Sequence, residues 1–221
     1  MIKIENTEVI GWEAAIRGMR NPLNSWSKSD SYATHIENTD TLNTAEFEYF
    51  VGDDDLDLMK RLAKAGSVHA KYRRMISVYV DIVAPLYWWK EFDTYKVGTV
   101  ANSCSTMHKI HAKEFTLDDF SCEHLDCSDG MEINALSVLM TTVNYLNMVR
   151  DCYLQSKDKR YWWQMIQLLP SSYNQRRTVM LNYEVLANIY EYRKAHKLDE
   201  WVEFCKWIET LPYSEIITGG N

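Results

Sequence analysis

The stretch LLPSSYNQRRTVMLNYEVLANIYEYR, residues 168–193, carries the strongest information about the fold. Residues 176–182 have the composition of a β-strand, and apolar side chains in residues 183–193 follow the helical period. Asn182 therefore falls where the strand passes into the helix, and Asn188 and Arg193 follow on that helix. Asn182 is either a helix N-cap or part of a site, and both interpretations stay open at this stage.

The rest of the chain predicts helices around a few strands. Residues 73–85 alternate apolar and polar side chains, which is typical of a half-buried strand. An acidic start, a basic last turn and Gly66 predict a helix over residues 56–66. Residues 131–154 have apolar side chains at the helical period, which predicts a long amphipathic helix. Further elements are predicted as an N-terminal strand, a short helix after it, and helices over 160–169 and 199–211.

These patterns predict one helix-rich α+β domain over residues 1–221, with a small, mostly antiparallel sheet. The length of 221 residues and the 46% hydrophobic content suit a single packed core. The net charge of −7 argues against a general nucleic-acid binder, which normally carries a basic face. The sequence shows neither a signal peptide nor a membrane-spanning stretch, so we expect a cytoplasmic protein that does not bind membranes.

The five cysteines are scattered along the chain, which is typical of free thiols in a cytosolic protein. Cys122, His124 and Cys127 form a C-x-H-x-x-C pattern that could hold a metal. Without a second cluster, this pattern is more typical of an acidic loop, and we predict no metal site. A zinc or thiol enzyme that uses Cys104, Cys122 and Cys127 stays as an alternative. The sequence contains no P-loop, dinucleotide-type glycine motif, H-E-x-x-H or G-x-S-x-G.

Residues 168–193 resemble the flavin-dependent thymidylate synthases. That family has a Leu-Leu-Pro element followed by the pattern N-x-x-x-L-x-N-F-x-x-x-R. The spacing places Asn182, Leu186, Asn188 and Arg193 on the pattern, with Ile189 in place of phenylalanine.

A second block of the chain is similar to the same family. The family has a strand that ends in Ala-Pro and then the signature R-H-R-x(7)-S-x-R. Counting without a gap from Ala84-Pro85 places this signature on the tripeptide Thr94-Tyr95-Lys96, with Cys104 at the serine and Thr106 at the last arginine. The helix that ends in Gly66 is also similar to a family element.

The resemblance implies a thymidylate synthase complementing-like domain and a cytoplasmic homotetramer with active sites between subunits. It implies a flavoprotein of nucleotide biosynthesis, in which FAD reduced by NADPH passes a one-carbon unit from methylenetetrahydrofolate to dUMP. The implied cofactor-binding positions are Asn182, Asn188, Tyr95 and Lys96. The implied substrate-binding positions are Arg193, Cys104 and Thr106. No catalytic nucleophile is implied, although Cys104 could be reactive if a base lay beside it.

The signature has changed in ways that bear on substrate binding. Arginine binds phosphate and uracil through a planar fork of donors, whereas lysine keeps the charge without the fork. Ile166 stands where the family carries another arginine for dUMP. Replacement cations could come from Arg73, Arg74, Lys90, Lys96, Arg176 and Arg177, each of which is alternatively an ordinary surface charge.

Two functions remain open from the sequence. The first is a divergent thymidylate synthase-type methyltransferase that acts on dUMP or a related pyrimidine nucleotide with folate. The second is a non-catalytic oligomeric relative that binds a nucleotide or a protein partner. The Trp88-Trp89 and Trp162-Trp163 pairs could stack on a flavin or a base in the first case, or pack between subunits in either case.

Overall fold

The computed structural model of the chain describes residues 2–36, 46–126 and 134–219. The strands are β1 (Lys3–Ile10), β2 (Tyr32–Ile36), β3 (Glu46–Phe50), β4 (Ser77–Pro85), β5 (Val100–Ser103) and β6 (Asn174–Asn182). The helices are α1 (Trp12–Arg20), α2 (Asp53–Lys64), α3 (Leu86–Phe92), α4 (Ala135–Ser156), α5 (Lys159–Leu168), α6 (Tyr183–Arg193), α7 (Asp199–Glu209) and α8 (Glu215–Thr218).

The fold is helix-rich α+β with a small antiparallel sheet, as predicted. One four-stranded sheet has the order β1-β4-β6-β5, and β2 pairs with β3 in a separate two-stranded sheet. The chain divides into two compact units, and each strand of the larger sheet contributes residues to both of them. Unit 1 comprises Met1–Glu5, Asp81–Thr94 and Ala101–Thr178; unit 2 comprises Asn6–Val80, Tyr95–Val100 and Val179–Asn221. The prediction of one domain over residues 1–221 stays a prediction.

Unit 1 is built on two hydrophobic groups. Helices α4 and α5 pack on each other and bury Leu146 and Met165 completely, together with Phe115 and Phe120 from the preceding segment. The aromatic residues of α3 form the second group: Trp88 and Trp89 are both 0% exposed, and Phe92 is also buried. The Trp88-Trp89 pair is therefore core, and its burial excludes the interpretations in which it stacks on a ligand or packs between subunits.

Unit 2 packs α6, α7 and α8 against one another around the buried side chains of Tyr183, Trp201 and Phe204. The Tyr183 hydroxyl donates to the Pro212 carbonyl oxygen over 2.6 Å. Burial raises the pKa of Tyr183, so this hydroxyl stays protonated and remains a donor. Strand β6 therefore leads directly into a firmly packed helix, α6.

The polar loop between α1 and β2 is tied to the start of α2. Asp55 is 0% exposed and accepts hydrogen bonds from Arg20 Nε at 2.6 Å and from the Ser29 and Ser31 hydroxyls at 2.6 and 2.7 Å. The Asp30 carboxylate accepts from the amides of Asp54 and Asp55, which begin α2. This loop therefore caps helix α2 and is held to it by several hydrogen bonds.

The predicted helices and strands are present in the described residues. Helices α3 and α8 were not predicted, and further differences concern the strands. Residues Lys71–Met75 form a 3-10 helix, so the strand predicted over 73–85 begins at Ser77 instead. Strands β2 and β3 were not predicted, and neither was β5. All four residues of β5 are exposed, so it lacks the alternation that marks a half-buried strand.

Candidate functional site

A groove in unit 2 runs along one face of α6, and we call it the asparagine groove. Its volume is about 660 Å³. It is lined by Ser67, Arg73, Arg74, Val97, Gly98, Asn182, Glu184, Val185, Ala187, Asn188, Glu191 and Tyr192. The groove brings together both asparagines that the sequence predicted for a cofactor.

Asn182 ends β6 and serves as the N-cap of α6. Its Oδ1 accepts a hydrogen bond from the Val185 amide at 3.1 Å, which satisfies one of the helix's free N–H groups. Asn188 lies two turns along the helix and is exposed. Asn182, Val185 and Asn188 follow one another at intervals of three residues, so each lies beside the next along α6, and all three line the groove. Both interpretations of Asn182 therefore apply together: Oδ1 caps the helix, and the residue also lines the groove.

Gly98 forms the wall opposite Asn182. Its φ of +79° is in the left-handed region that favours glycine. A Cβ at this position would lie 2.9 Å from Asn182 Nδ2 and 3.3 Å from Val185 Cγ2. A side chain at residue 98 would therefore push into the groove at the asparagine amide, so glycine keeps this end of the groove open.

The positive and negative charges of the side chains that line the asparagine groove are equal in number. Arg73 and Arg74 lie with Glu184 and Glu191, two cations with two carboxylates. Arg73 Nη1 is 3.6 Å from Glu184 Oε2, which is an ion pair without a short hydrogen bond. The groove therefore suits a ligand that is mostly neutral and polar along its edge, such as a heterocyclic ring system.

Arg193, the predicted substrate arginine, lies away from the asparagine groove. Arg193 lies five positions after Asn188, which places it about 140° further around α6 and therefore on a different face. Its Nε donates to the Tyr95 hydroxyl at 2.9 Å, and its Nη1 lies 2.9 Å from His196 Nε2. The guanidinium also stacks 4.7 Å from the centre of a Trp201 ring. Arg193 is thus held within unit 2 by Tyr95, His196 and Trp201.

Tyr95 and Lys96 are adjacent in sequence but differ in environment. Tyr95 is half-buried, and its ring packs edge-on against Trp201 at 5.9 Å between centroids. Lys96 is exposed and precedes the two residues of this turn that line the asparagine groove. Thr94, at the first arginine of the resembled signature, donates through Oγ1 to the Glu91 carbonyl at 2.7 Å. Thr94 therefore belongs to the turn that follows α3, and Tyr95 is the residue of the tripeptide that holds Arg193.

A second groove, in unit 1, contains the other two predicted substrate residues, and we call it the cysteine groove. Its volume is about 490 Å³. It is lined by Val83, Cys104, Ser105, Thr106, Lys109, Ile110, Lys113, Phe115, Asp118, Asp119, Tyr173, Asn174, Gln175 and Arg176. Cys104 is exposed, and its backbone is held by Arg176 and Gln175, whose side-chain amide donates to the Cys104 carbonyl at 2.8 Å.

The cations of the cysteine groove are mostly engaged by carboxylates. Lys113 is bonded to Asp119, and this hydrogen bond raises the pKa of the ammonium. Arg176 is bonded to Asp81 at 2.7 Å, which raises the pKa of its guanidinium, and it lies 3.4 Å from Glu5. Both groups are therefore firmly cationic, with part of their charge already balanced. Lys109 completes the cationic lining, and the sequence interpretation missed both lysines of this groove.

Other residues that the sequence singled out have structural roles. Ile166, where the resembled family carries an arginine, packs against the hydrophobic core of unit 1. Arg177 bonds to Asp93 at 2.7 Å and stacks 4.2 Å from a Trp89 ring centre. Lys90 is exposed on α3. Of the replacement cations that the sequence suggested in unit 1, Arg177 and Lys90 do not line the cysteine groove, whereas Arg176 does.

The cysteines give no thiol or metal cluster within the described part of the chain. Cys104, Cys122, Cys152 and Cys205 are free thiols there. Burial raises the pKa of Cys205 to about 12, so that thiol stays protonated. Cys127, the last residue of the C-x-H-x-x-C pattern, lies outside the described residues. Across residues 2–36, 46–126 and 134–219, no group of three or more His, Cys, Asp or Glu side chains is placed to hold a metal.

Membrane insertion of a helix finds no support in the described ranges. Of the helices within them, none combines enough length with enough apolar character to cross a bilayer.

Comparisons with known proteins identify the fold. No model of a known protein family and no curated protein sequence matches the chain. A crystal structure of the flavin dependent thymidylate synthase ThyX from Helicobacter pylori, complexed with FAD and dUMP, superposes with a TM-score of 0.67 at 15% identity, covering 98% of this chain and 97% of that chain. A second structure of ThyX from that organism with FAD and dUMP gives the same score and identity, over 99% and 97% of the two chains.

A third solved structure is the UMP/dUMP methylase PolB from Streptomyces cacaoi, bound with 5-Br dUMP. Its TM-score is 0.57 at 11% identity, over 98% of this chain and 94% of that one. At these identities the similarity establishes the fold alone. The chain has the fold of the flavin-dependent thymidylate synthases over nearly its whole length, which confirms at the level of fold the resemblance found in the sequence.

Proposed function

We propose that the chain is a divergent flavin-dependent protein of the thymidylate synthase type. It would transfer the one-carbon unit of methylenetetrahydrofolate to dUMP or a related pyrimidine nucleotide, and a bound reduced flavin would supply the electrons that convert the methylene group into a methyl group. The observation that carries this proposal is the asparagine groove, which Asn182 and Asn188 both line, on a fold similar to that of enzymes crystallised with FAD and dUMP.

The residues of the asparagine groove fit a flavin. Asn182 uses Oδ1 for the helix cap, which leaves its Nδ2 donors available to a ligand. The exposed Asn188 amide offers both a donor and an acceptor, which suits the alternating donors and acceptors of a flavin ring edge. Gly98 keeps the space beside Nδ2 open. A bound flavin, with NADPH as its reductant, would supply the electrons that turn a methylene group into a methyl group.

The cysteine groove is the proposed site for the nucleotide. The Thr106 and Ser105 hydroxyls can donate to phosphate oxygens, and Lys109 adds a cation beside them. Lys113 and Arg176 add positive charge that Asp119 and Asp81 partly balance. The protein would work as a cytoplasmic homotetramer, which the resemblance also implies.

A non-catalytic relative is the second candidate, and the environment of Arg193 favours it. The guanidinium that the resembled family uses for its substrate is engaged by Tyr95, His196 and Trp201. A substrate would compete with these contacts for the guanidinium, and hydrogen bonds of charged groups contribute roughly 1.5–3 kcal/mol each. In this candidate function the chain binds a nucleotide or a protein partner and performs no methyl transfer.

Growth of a thymidine-requiring bacterial strain separates the two candidates. We expect the full chain to restore growth without thymidine, and the Asn188→Ala variant, expressed at the same level, to restore it poorly. Rescue by the full chain rules out the non-catalytic candidate. If growth fails while the purified protein retains flavin, dUMP is excluded as the substrate. If growth fails and flavin is absent, the proposal is wrong.

A further inference from the structure

A second cleft in unit 2, which we call the basic cleft, shares Arg73 with the asparagine groove and has otherwise different lining residues. It is bordered by Lys60, Arg61, Lys64, Arg73, Glu215 and Gly219, and its volume is about 570 Å³. Three of its cations lie on the last two turns of α2, and Arg73 comes from the 3-10 helix that precedes β4. The cleft is thus assembled from separate segments of the chain.

The charge of the basic cleft is unusual for this protein. Its lining holds four cations, Lys60, Arg61, Lys64 and Arg73, and one carboxylate, Glu215. Two carboxylates outside the lining make long ion pairs with two of these cations: Asp57 lies 3.8 Å from Arg61 and Glu184 lies 3.6 Å from Arg73. The asparagine groove has two arginines with two glutamates, and the whole chain carries a net charge of −7. Positive charge is therefore concentrated in this cleft although the chain as a whole is negatively charged, and such a concentration attracts anions.

Helix stability explains part of this cluster. Arg61 and Lys64 lie in the last turn of α2, where cations interact favourably with the helix dipole. Lys60 Nζ lies 3.3 Å from Glu215 Oε1. However, Lys60 and Lys64 are like charges at i and i+4, a spacing that destabilises a helix by a few tenths of a kcal/mol. An anion between them would remove this repulsion.

Arg73 is the observation that points to a ligand. The residue is 9% exposed, and its Nε forms no hydrogen bond to any residue that the structure describes. Its nearest carboxylate contact is the 3.6 Å ion pair with Glu184. A buried donor without a partner is unfavourable by about 1–3 kcal/mol, more when the group is charged. Because Arg73 lines the basic cleft, an anion there can accept from this donor.

We propose that the basic cleft binds the diphosphate group of a small molecule. The lining residues sum to a net charge of +3, and the described ion pairs that Arg61 and Arg73 make with carboxylates outside the lining are longer than 3.5 Å. This excess of loosely paired cations suits a group with two adjacent phosphates better than a single carboxylate. Arginine offers paired donors to phosphate oxygens, and lysine offers mobile point charges beside them. The group can come from a free diphosphate compound or from a dinucleotide cofactor. The inference does not depend on the proposed methyl transfer.

Calorimetric titration of inorganic diphosphate into the full chain tests this site. We expect saturable binding at one site per chain, weakening steeply as salt is raised because the contacts are ionic. The double variant Lys60→Gln/Lys64→Gln should bind at least about tenfold more weakly, which corresponds to roughly 1.4 kcal/mol. Both lysines are exposed, so the fold should be retained, and thermal unfolding checks this. Arg73 is left unchanged because it is buried.

Lys206→Gln is the matched control, because it removes one exposed lysine from α7 of the same unit and should leave diphosphate affinity unchanged. Titrations repeated in saturating FAD distinguish the two sources. Loss of diphosphate binding would assign the cleft to a dinucleotide's diphosphate, whereas additive binding would assign it to a separate compound. Absence of saturable binding, or equal affinity in the double variant, would overturn the proposal.

Discussion

Replacing Asp55 with alanine is expected to destabilise the protein by about 3–5 kcal/mol, the range for breaking a buried ion pair by removing one partner. Asp55 is fully buried, and the Arg20 side chain beside it is 5% exposed. Without the carboxylate, the guanidinium would be a buried and uncompensated charge. The Ser29 and Ser31 hydroxyls would lose the acceptor that holds the loop before β2.

Chemical unfolding of Asp55→Ala and Asp57→Ala measures this effect with an internal control. Asp57 lies on the same helix but is 74% exposed, and its only described ion pair, with Arg61, is 3.8 Å long. We expect Asp57→Ala to change the free energy of unfolding by no more than about 0.5 kcal/mol. Equal stabilities of the two variants would show that the Arg20–Asp55 pair does not hold this part of unit 2.

Acid should reduce the difference between the wild type and Asp55→Asn. Burial raises the pKa of Asp55, but hydrogen bonds from Ser29, Ser31 and Arg20 outweigh it and leave this pKa below its ordinary value. The carboxylate therefore contributes stability above the unfolded-state pKa, about 3.9, and loses it as pH falls through the lower folded-state value. Unfolding measured from pH 6 to pH 2 should show the two stabilities converging below about pH 4.

Replacing Asn182 with serine should weaken flavin binding by up to about tenfold while the protein stays as stable as the wild type. Serine caps helices about as well as asparagine does, so the acceptor for the Val185 amide remains. The Nδ2 donors beside Gly98 disappear, and a neutral hydrogen bond contributes about 0.5–1.5 kcal/mol. Thermal unfolding and fluorescence titration with FAD measure the two quantities separately.

Two variants make the Asn182 experiment specific. Asn182→Ala removes both the cap and the donors, so it should also lose about 1 kcal/mol of stability. Asn134 is the N-cap of α4 and accepts from the Ser137 amide at 2.8 Å, so Asn134→Ser repeats the substitution away from the asparagine groove. We expect it to leave FAD affinity unchanged. If Asn182→Ser binds FAD as the wild type does, Asn182 has a structural role alone.

The sequence was sufficient to predict the elements that carry strong periodicity. Val78 and Ile82 of β4, and Ile76 just before it, are 0% exposed, as their alternation indicated. The step from β6 into α6 at Asn182 was also predicted, because a strand composition meets a helical period there. Strands β2, β3 and β5 were missed because they are short or exposed, and pairing between neighbours decides their structure.

The contacts that define the sites could not be predicted, because they join residues far apart in sequence. Arg193 and Tyr95 are 98 positions apart, and Asp55 lies 35 positions from Arg20. The acidic run at residues 53–55 was correctly predicted as the start of a helix, but its pattern does not distinguish the buried Asp55 from its exposed neighbours. Gly98 offered one signal, since a glycine in a turn often marks a positive φ.

The absorption spectrum of the purified protein, recorded after incubation with FAD and removal of free cofactor, tests the central claim most directly. We predict that flavin stays with the protein at about one molecule per chain, and that FAD raises the midpoint of thermal unfolding, because a ligand that binds the folded state stabilises it. A colourless protein whose unfolding midpoint does not change in saturating FAD would contradict the proposed flavin site.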